Sequence, residues 1–413
     1  MVKRSLLSAC LAGALIAGAS AAIADGPTDD ALLPAPEISG FAAVETRLFF
    51  QAPAFAAQHD NRLSPSLTLQ PEFNWRWNDG DDEFILVPYA RIEPDDGKRT
   101  HSDLREALWL HVGDDWELRA GLGKVFWGVA ESRHLVDVIN QTDLLTDPDQ
   151  EDKLGQPMVV YTYLSDWGTV DAYLLPGFRE RRYPGRQGRL RSGRLVDGRA
   201  ATYDSAARDK RLDLALRWSH TVGDFDIGLY HFHGTGREPR LIQGTSAGGE
   251  TVWIPHYDTI DQTGVDLQAT KGSWLWKLES IFRTGQQERF AAAVAGFEYT
   301  FFGITDTGAD LGVLAEYHRD GRHAGAPSTR FDNDLFTGLR LVLNDEWDTD
   351  ALIGFVADLN GGAWSINVEA NRRLTDRLKL ELEGGFAWNT PAGTAANDLQ
   401  RDDYLQLRLA FYL

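Results

Sequence analysis

Cysteine is almost absent from this chain, since the one cysteine among 413 residues is Cys10. Because Cys10 lies in a predicted export signal, the mature chain offers no disulfide, thiolate metal site or cysteine nucleophile. Long apolar runs are missing too: no segment after residue 24 has 18 consecutive apolar residues, which argues against a spanning helix. Basic residues are scarce beside acidic ones, 41 against 61. The net charge of −20 makes nucleic acid an unsuitable partner.

The first 24 residues are organised as a cleaved export signal. Lys3 and Arg4 form a short positive region, Leu6–Ala19 are apolar or small, and Ala22–Ala24 offer a small-residue cleavage site. Without Lys3 and Arg4, the mature chain carries 39 basic and 61 acidic residues. A lipoprotein cleavage box ending at Cys10 is the alternative, but the apolar core before Cys10 is too short for it.

Apolar and polar side chains alternate along most of the mature chain. Residues 402–413 show this best, because apolar side chains at every odd position from Leu405 to Leu413 alternate with mostly polar ones. Successive side chains of a strand point to opposite faces. A charge in bilayer hydrocarbon costs roughly 2–4 kcal/mol, so the charged faces must point into a wet interior. The pattern predicts an all-β fold, a transmembrane antiparallel β-barrel.

We predict about 18 strands, with 16 as the alternative count. Tight turns recur at every second connection, whereas most of the others are longer. Outer-membrane barrels have short periplasmic turns and longer outer loops, so an even count leaves both termini in the periplasm. The predicted domains are a signal peptide (1–24), a periplasmic N-terminal segment (25–38) and the barrel (39–413). The predicted strands lie near 39–51, 64–77, 83–93, 102–113, 115–127, 156–164, 168–176, 211–221, 224–235, 257–271, 274–286, 289–302, 309–322, 331–344, 348–359, 364–374, 377–390 and 402–413.

The long connection Val129–Gln156 is the first candidate functional element. Its apolar residues, among them Leu135, Val136 and Ile139, predict a short amphipathic helix. Groups that fill or line the lumen of a wide barrel set its selectivity, and we predict that this segment forms an inward constriction. A lid packed on the outer rim is the alternative. The predicted constriction residues are Arg133, His134, Asp137, Asn140 and Asp143.

A second group of candidate residues lies on the predicted strands. Alternation places their charged side chains opposite the apolar face, so we predict that they line the path of a solute. They are Asp213, Arg217, Lys277, Glu279, Arg283, Arg340, Glu369 and Glu381.

Residues 179–199 are strongly basic in an acidic chain. Arginine pairs well with carboxylate and phosphate groups, which favours an anion-attracting mouth or a patch for lipopolysaccharide phosphates. The alternative is a solvated loop whose arginines pair with acids such as Asp147, Asp149, Glu151 and Asp152. The basic residues are Arg179, Arg181, Arg182, Arg186, Arg189, Arg191, Arg194 and Arg199.

The sequence predicts no metal site. Asp147, Asp149 and Glu151 have the spacing of calcium ligands. However, Asp152 and Met158 stand where a calcium loop needs glycine and glutamate. His231 and His233, with His220 or His256, could hold a metal, but the simpler interpretation is a set of histidines at the barrel rim.

No cofactor or catalytic residue is predicted either. Ser246, within Gly244–Gly248, fits the pattern of a nucleophile elbow. That motif needs a strand before it and a helix after it, and the residues up to Pro255 do not favour a helix. We interpret the match as a loop.

Residues 119–177 carry a family resemblance. Arg119–Gly128 reads Arg-Ala-Gly-Leu-Gly-Lys-Val-Phe-Trp-Gly, and Asn140–Asp143, Gln156–Val159 and Leu174–Phe178 follow. The run resembles one in a family of uncharacterised, porin-like outer-membrane β-barrel proteins of proteobacteria. There an inserted Ile-Asn-Pro-x-Asp segment follows a strand that ends in Gly-x-x-x-Val-x-Trp-Gly; here Gln141 replaces the proline. The last strand also resembles the assembly signal of outer-membrane proteins, here ending in leucine.

These observations predict a porin-like channel, not an enzyme, for passive or facilitated passage of small solutes across a Gram-negative outer membrane. The predicted partners are outer-membrane lipid, lipopolysaccharide, the barrel-assembly machinery and a small solute, while the oligomeric state is left open. One alternative is a non-conducting binding or export-accessory barrel. The other is a hydrolase that acts on lipid or lipopolysaccharide.

Overall fold

The computed structural model describes residues 34–146, 150–392 and 395–413. The predicted signal peptide, most of the predicted segment 25–38, and residues Asp147 and Asp149 lie outside the described residues. The described strands, numbered along the chain, are β1 Glu37–Phe49, β2 Leu63–Trp77, β3 Asp82–Ile92, β4 His101–Val112, β5 Trp116–Gly123, β6 Gln156–Ser165, β7 Gly168–Pro176, β8 Thr202–Tyr203, β9 Leu212–Val222, β10 Phe225–Thr235, β11 Arg240–Thr245, β12 Thr251–Tyr257, β13 Thr259–Lys271, β14 Trp274–Gln286, β15 Glu288–Phe301, β16 Asp310–Asp320, β17 Asn333–Val342, β18 Asp350–Asp358, β19 Trp364–Thr375, β20 Leu378–Trp388 and β21 Tyr404–Tyr412.

All of these strands except β8, β11 and β12 form one closed antiparallel barrel. The ring closes because β1 pairs with both β2 and β21: Val44 lies opposite Leu67 on one side and Leu409 on the other. The other barrel strands pair with the barrel strands before and after them in the chain, so the described ring has no free edge. The prediction of 18 strands is confirmed, and the alternative of 16 is wrong.

The connections differ in length at the two ends of the barrel. At the turn end, where β1 begins and β21 ends, the connections are short, such as 78–81, 113–115, 166–167, 223–224 and 272–273. At the loop end most are long, notably 50–62, 124–155, 177–211, 236–258 and 389–403. Gln287 and 359–363 are the short exceptions at the loop end. The predicted alternation of short and long connections is therefore confirmed.

The two faces of the barrel wall have opposite character. On β9, Leu212, Leu214 and Leu216 are exposed on the outside, while Asp213 and Ala215 between them are buried on the inside. This follows from the alternation of side chains along a strand. The outer face therefore offers an apolar surface, and the inner face carries the charges.

A small second sheet at the loop end was not predicted. β11 and β12 form a hairpin, and β8 adds to it in parallel. Pro255 and Gly244 interrupt the alternation in these strands, and β8 has only two residues, so the sequence carries little strand signal there.

Helix content is negligible in the described residues. One α-helical turn, Ala395–Asp398, and three 3₁₀ turns, Asn78–Gly80, Gly198–Ala200 and Arg208–Lys210, occur in connections. No helix in 34–146, 150–392 or 395–413 is long and apolar enough to span a bilayer.

The predicted amphipathic helix within Val129–Gln156 is wrong, because the described residues of that connection form turns, bends and extended chain. Its backbone N–H groups bond to side chains of the barrel wall, so they are not available for helical hydrogen bonds.

Candidate functional site: the inserted segment and the lumen cavity

The connection 124–155 between β5 and β6, here called the inserted segment, folds into the barrel. Val136 and Ile139 are fully buried, and Trp127, Leu135 and Val138 nearly so. Fully burying one such aliphatic side chain contributes roughly 1.5–3 kcal/mol, so this contact holds the segment firmly. These side chains pack against inner-face residues of β6, β7, β10 and β13–β15, namely Met158, Val160, Tyr173, Leu175, Tyr230, Phe232, Ile260, Ile281, Phe290, Ala292 and Val294.

The carboxylate of Glu279, on the inner face of β14, holds the beginning of the segment. It accepts hydrogen bonds from the backbone N–H groups of Val129 (2.7 Å), Ala130 (2.9 Å) and Val136 (3.2 Å). Glu279 is completely buried. Because hydrogen bonds to a charged group contribute more than neutral ones, this residue fixes the path of the chain.

Glu316, on the inner face of β16, plays the same part for the next residues. It accepts hydrogen bonds from the backbone N–H groups of Glu131 (2.7 Å) and Ser132 (2.9 Å), and from the Ser132 hydroxyl. The Ser132 hydroxyl also lies 2.7 Å from Nε2 of His318. Wall carboxylates thus satisfy the backbone donors of a loop that lies inside the barrel.

Ion pairs extend this attachment to further strands. Arg133 binds Asp320 (2.9 Å), and Glu131 lies 2.7 Å from Arg340 and 3.4 Å from Lys277. Two other predicted wall residues make ion pairs away from the segment. Arg217 makes two hydrogen bonds to Asp266, and Arg283 binds Glu238.

The far end of the segment is fixed by Asn140 and Asp143. The Asn140 side chain bonds to the backbone of Val125, Gly123 and Leu154. Asp143, fully buried, lies 2.6 Å from Arg105 of β4. Burial alone would raise the pKa of Asp143, but the Arg105 guanidinium outweighs burial and lowers it.

Two titratable groups of the segment have raised pKa values for different reasons. Burial raises the pKa of Asp137, although Lys153 lies 3.1 Å away and opposes the shift. Burial lowers the pKa of His134, but the Glu279 carboxylate, 4.0 Å from its Nδ1, outweighs this and raises it.

A cavity of about 410 Å³ remains between the inserted segment and the opposite wall. The segment contributes Lys124, Thr146 and Asp152 to its lining. The wall side is formed by β1–β4 and β19–β21, with Glu45, Thr68, Gln70, Tyr89, Arg91, Arg105, Glu369, Asn371, Lys379, Glu381, Glu383, Gln406 and Arg408 among the lining residues. The segment therefore fills one side of the lumen and leaves a polar space on the other.

Most charges around the cavity are paired. Arg91 binds Glu45, and Arg105 binds Asp143. Glu381 binds both Arg408 and Lys379.

The predicted wall residues separate into two groups. Glu369 and Glu381 line the cavity. Asp213 and Glu279 are completely buried, with Asp213 bound to Arg211 (2.5 Å) and Arg237 (3.0 Å). A role of the thirteen predicted constriction and wall residues in solute passage stays a prediction.

The predicted basic residues belong to the connection 177–211, here called the crossing loop. Arg179 and Arg182 bind Asp103, and Arg189 binds Asp402 at 2.6 Å. Arg186 binds Glu250. The other arginines make mixed contacts: Arg181 donates to Gln141, Arg191 to backbone carbonyls and Arg194 to Gln243, while the backbone N–H of Arg199 donates to Asp197.

The crossing loop therefore pairs with acids of β4 and of other connections. Asp103, Glu250 and Asp402 take the place of the predicted partners, of which Asp147 and Asp149 lie outside the described residues. Through these contacts the loop reaches from β7 to the connections beside β1, where the backbone N–H of His59 donates to Gln187.

Among the described residues, His231 and His233 do not form a metal-binding group with His220 or His256. His233 and His231 lie 2.7 and 3.7 Å from Asp261. His256 lies near Asp204 and Asp258 instead, and Arg240 already occupies Asp258 with hydrogen bonds of 2.5–2.9 Å. Ser246 lies in the turn between β11 and β12, where its hydroxyl accepts from the backbone of Glu250.

Solved structures with the same fold are outer-membrane barrels. A BenF-like porin from Pseudomonas fluorescens is similar with a TM-score of 0.52 and 8% identity, covering 93% of this chain and 99% of that one. OccK9 (OpdG) of Pseudomonas aeruginosa has a TM-score of 0.50 and 13% identity, covering 92% and 97%. Wzi of Escherichia coli, a carbohydrate-binding barrel involved in group 1 capsule assembly, has a TM-score of 0.50 and 8% identity, covering 91% and 84%.

The chain thus has the fold of the outer-membrane porins, an 18-stranded closed barrel. No protein-family model matches it, and no curated protein matches its sequence. The resemblance of residues 119–177 to an uncharacterised family stays a prediction.

Proposed function

We propose that this protein is an outer-membrane channel through which small polar solutes diffuse. The observation that carries this proposal is the polar cavity of about 410 Å³ between the inserted segment and the wall of β1–β4 and β19–β21. A closed barrel with an apolar outer face suits a bilayer, and its charged inner face suits water. Export by the predicted signal, insertion by the barrel-assembly machinery and contact with lipopolysaccharide belong to the same proposal.

Planar-bilayer recording with purified protein tests the channel. We expect discrete, ohmic conductance steps, and a smaller step for Gln70→Trp, because Gln70 lines the cavity and a larger side chain would fill part of it. The matched control is Leu69→Trp, the neighbouring residue of β2, which is 44% exposed on the outer face. A wild-type barrel without conductance, or equal steps for both variants, would contradict a solute path through the cavity.

One observation favours a second candidate, a barrel that binds a ligand without conducting. Towards the loop end, beside Glu45, lies a second, separate cavity of only about 10 Å³, enclosed by Arg47, Arg99 and Arg189 among others. Such a volume has room for about one water molecule. Folded protein that gives no current but binds soluble oligosaccharides in calorimetry would support this second candidate.

A further inference from the structure

Glu369 is an acid of the cavity wall that makes no ion pair among the described residues. It lies on the inner face of β19, opposite Leu352 on one side and Glu383 on the other. No basic nitrogen of the described residues lies within 4.0 Å of it, whereas Glu45 and Glu381 are both paired. Like charges directly opposite each other on neighbouring strands repel. The pairing of Glu369 with Glu383 across β19 and β20 therefore favours a cation bound beside them.

The cations near Glu369 are already bound to other acids. Arg340 lies 2.7 Å from Glu131 and 3.4 Å from Glu298. Lys379 lies 3.1 Å from Glu381. Redirecting either side chain to Glu369 would break an existing ion pair.

The remaining charges of the lining do not cancel Glu369. Ten charged side chains line the cavity, five of each sign. Lys124 and Asp152, which make no ion pair within 4.0 Å among the described residues, both belong to the inserted segment and have opposite charges. Arg105 is bound to the completely buried Asp143, which does not line the cavity, so the lining and this partner together carry six acids and five basic residues, an excess of one negative charge.

We propose that Glu369 makes the channel prefer cations, so that its solutes are small molecules carrying an ammonium or guanidinium group. This inference rests on the proposed channel function. The cationic group of the solute lies beside Glu369, where no lysine or arginine of the wall lies. The solute keeps most of its hydration because the cavity is polar. In the basic crossing loop, Arg179, Arg186 and Arg189 are already bound to Asp103, Glu250 and Asp402.

Reversal potentials under a potassium chloride gradient test the preference at low ionic strength, where charges are screened least. We expect the wild-type channel to be more permeable to potassium than to chloride. Glu369→Gln should lower the potassium-to-chloride permeability ratio about threefold, as for the loss of one unit charge acting at short range in water. Ethylammonium chloride in place of potassium chloride separates organic from inorganic cations. The matched control is Glu117→Gln, an inner-face residue of β5 that pairs with Arg119 at 3.0 Å and lies outside the cavity.

The outcomes separate the two proposals. A conducting wild type with chloride preference, or a ratio that Glu369→Gln and Glu117→Gln change equally, overturns the role of Glu369 and leaves the channel intact. A folded barrel without conductance overturns the channel. In that case the binding of ethylammonium to the detergent-purified barrel tests the cation site. Binding to the wild type that is lost in Glu369→Gln supports a cation site at Glu369, and a wild type that does not bind ethylammonium overturns that site.

Discussion

The contacts that each charged side chain of the lumen makes determine whether it can meet a solute. Glu279 and Glu369 both lie on inner faces, and alternation alone gives them the same expected role. The structure separates them, because Glu279 is buried against three backbone N–H groups whereas Glu369 lines an open space. Their difference depends on the inserted segment, which is remote from both in sequence and covers only one of them.

At this scale we expect Glu279→Gln to loosen the inserted segment. The amide keeps the size of the side chain but removes the charge and leaves fewer acceptor positions for three N–H donors. The docking free energy of the segment should fall by up to about 1.5–3 kcal/mol, the contribution of hydrogen bonds to a charged group. Single-channel recording should show higher and noisier conductance than Glu117→Gln, and equal traces for the two variants would argue against this anchoring role.

Among structural elements, the strands could be predicted and the inserted segment could not. All 18 barrel strands appear close to their predicted positions, because alternation over 8–15 residues is a local property of the sequence. In the inserted segment the apolar residues Leu135, Val136 and Ile139 indicated an amphipathic helix. They are spaced to meet the barrel wall instead, and the wall's carboxylates replace the hydrogen bonds that a helix would make.

Some residues of the site were also missed in the prediction from sequence. Arg91, Arg105 and Glu45 line the cavity but were not among the predicted residues. Glu45 and Arg91 could have been predicted, because both occupy inward-facing positions of strands with regular alternation. Arg105 was harder to recognise, because an irregularity in the pairing of β3 and β4 disturbs the alternation beside it.

We expect the far end of the inserted segment to detach in acid. The pKa of Asp143 is lowered in the folded protein by Arg105, so this pair contributes its full stability above the ordinary pKa of 3.8. That stability is lost as the pH falls through the lower, folded value. Limited proteolysis by pepsin between pH 5 and 2 should therefore show a rise in cleavage within 124–155.

The matching variant is Asp143→Asn, which cannot titrate. Its cleavage should already be high at pH 5 and should lack the steep part of the wild-type profile. A wild-type profile that the substitution leaves unchanged would show that another group controls the segment.

For the whole molecule, ring closure depends on one strand pair that joins the two ends of the chain. β21 pairs with β1 from Phe41↔Tyr412 to Phe49↔Tyr404, and with β20 on its other side. The topology was predictable because each strand is followed by its neighbour in the ring, so that only this closing pair is distant in sequence.

Removing residues 402–413 should abolish the folded barrel, because β1 and β20 would then expose unpaired backbone groups to hydrocarbon. Heat-modifiable migration in semi-native gels checks this, since folded barrels and unfolded chains migrate differently. Removal of residues 25–36, which precede β1, is the control of equal length and should leave the folded band. A folded band after loss of 402–413 would contradict closure by β21.

The lopsided filling of the lumen has a practical consequence. One arc of the inner wall serves as a packed interior that tolerates little change, while the arc from β19 through β4 is free to vary without disturbing that packing. The lining of such a lumen can be changed by substitutions on one side of the barrel alone. Substitutions along the open arc could adapt the protein as a sensing nanopore for new analytes, with the rest of the ring serving as an unaltered frame.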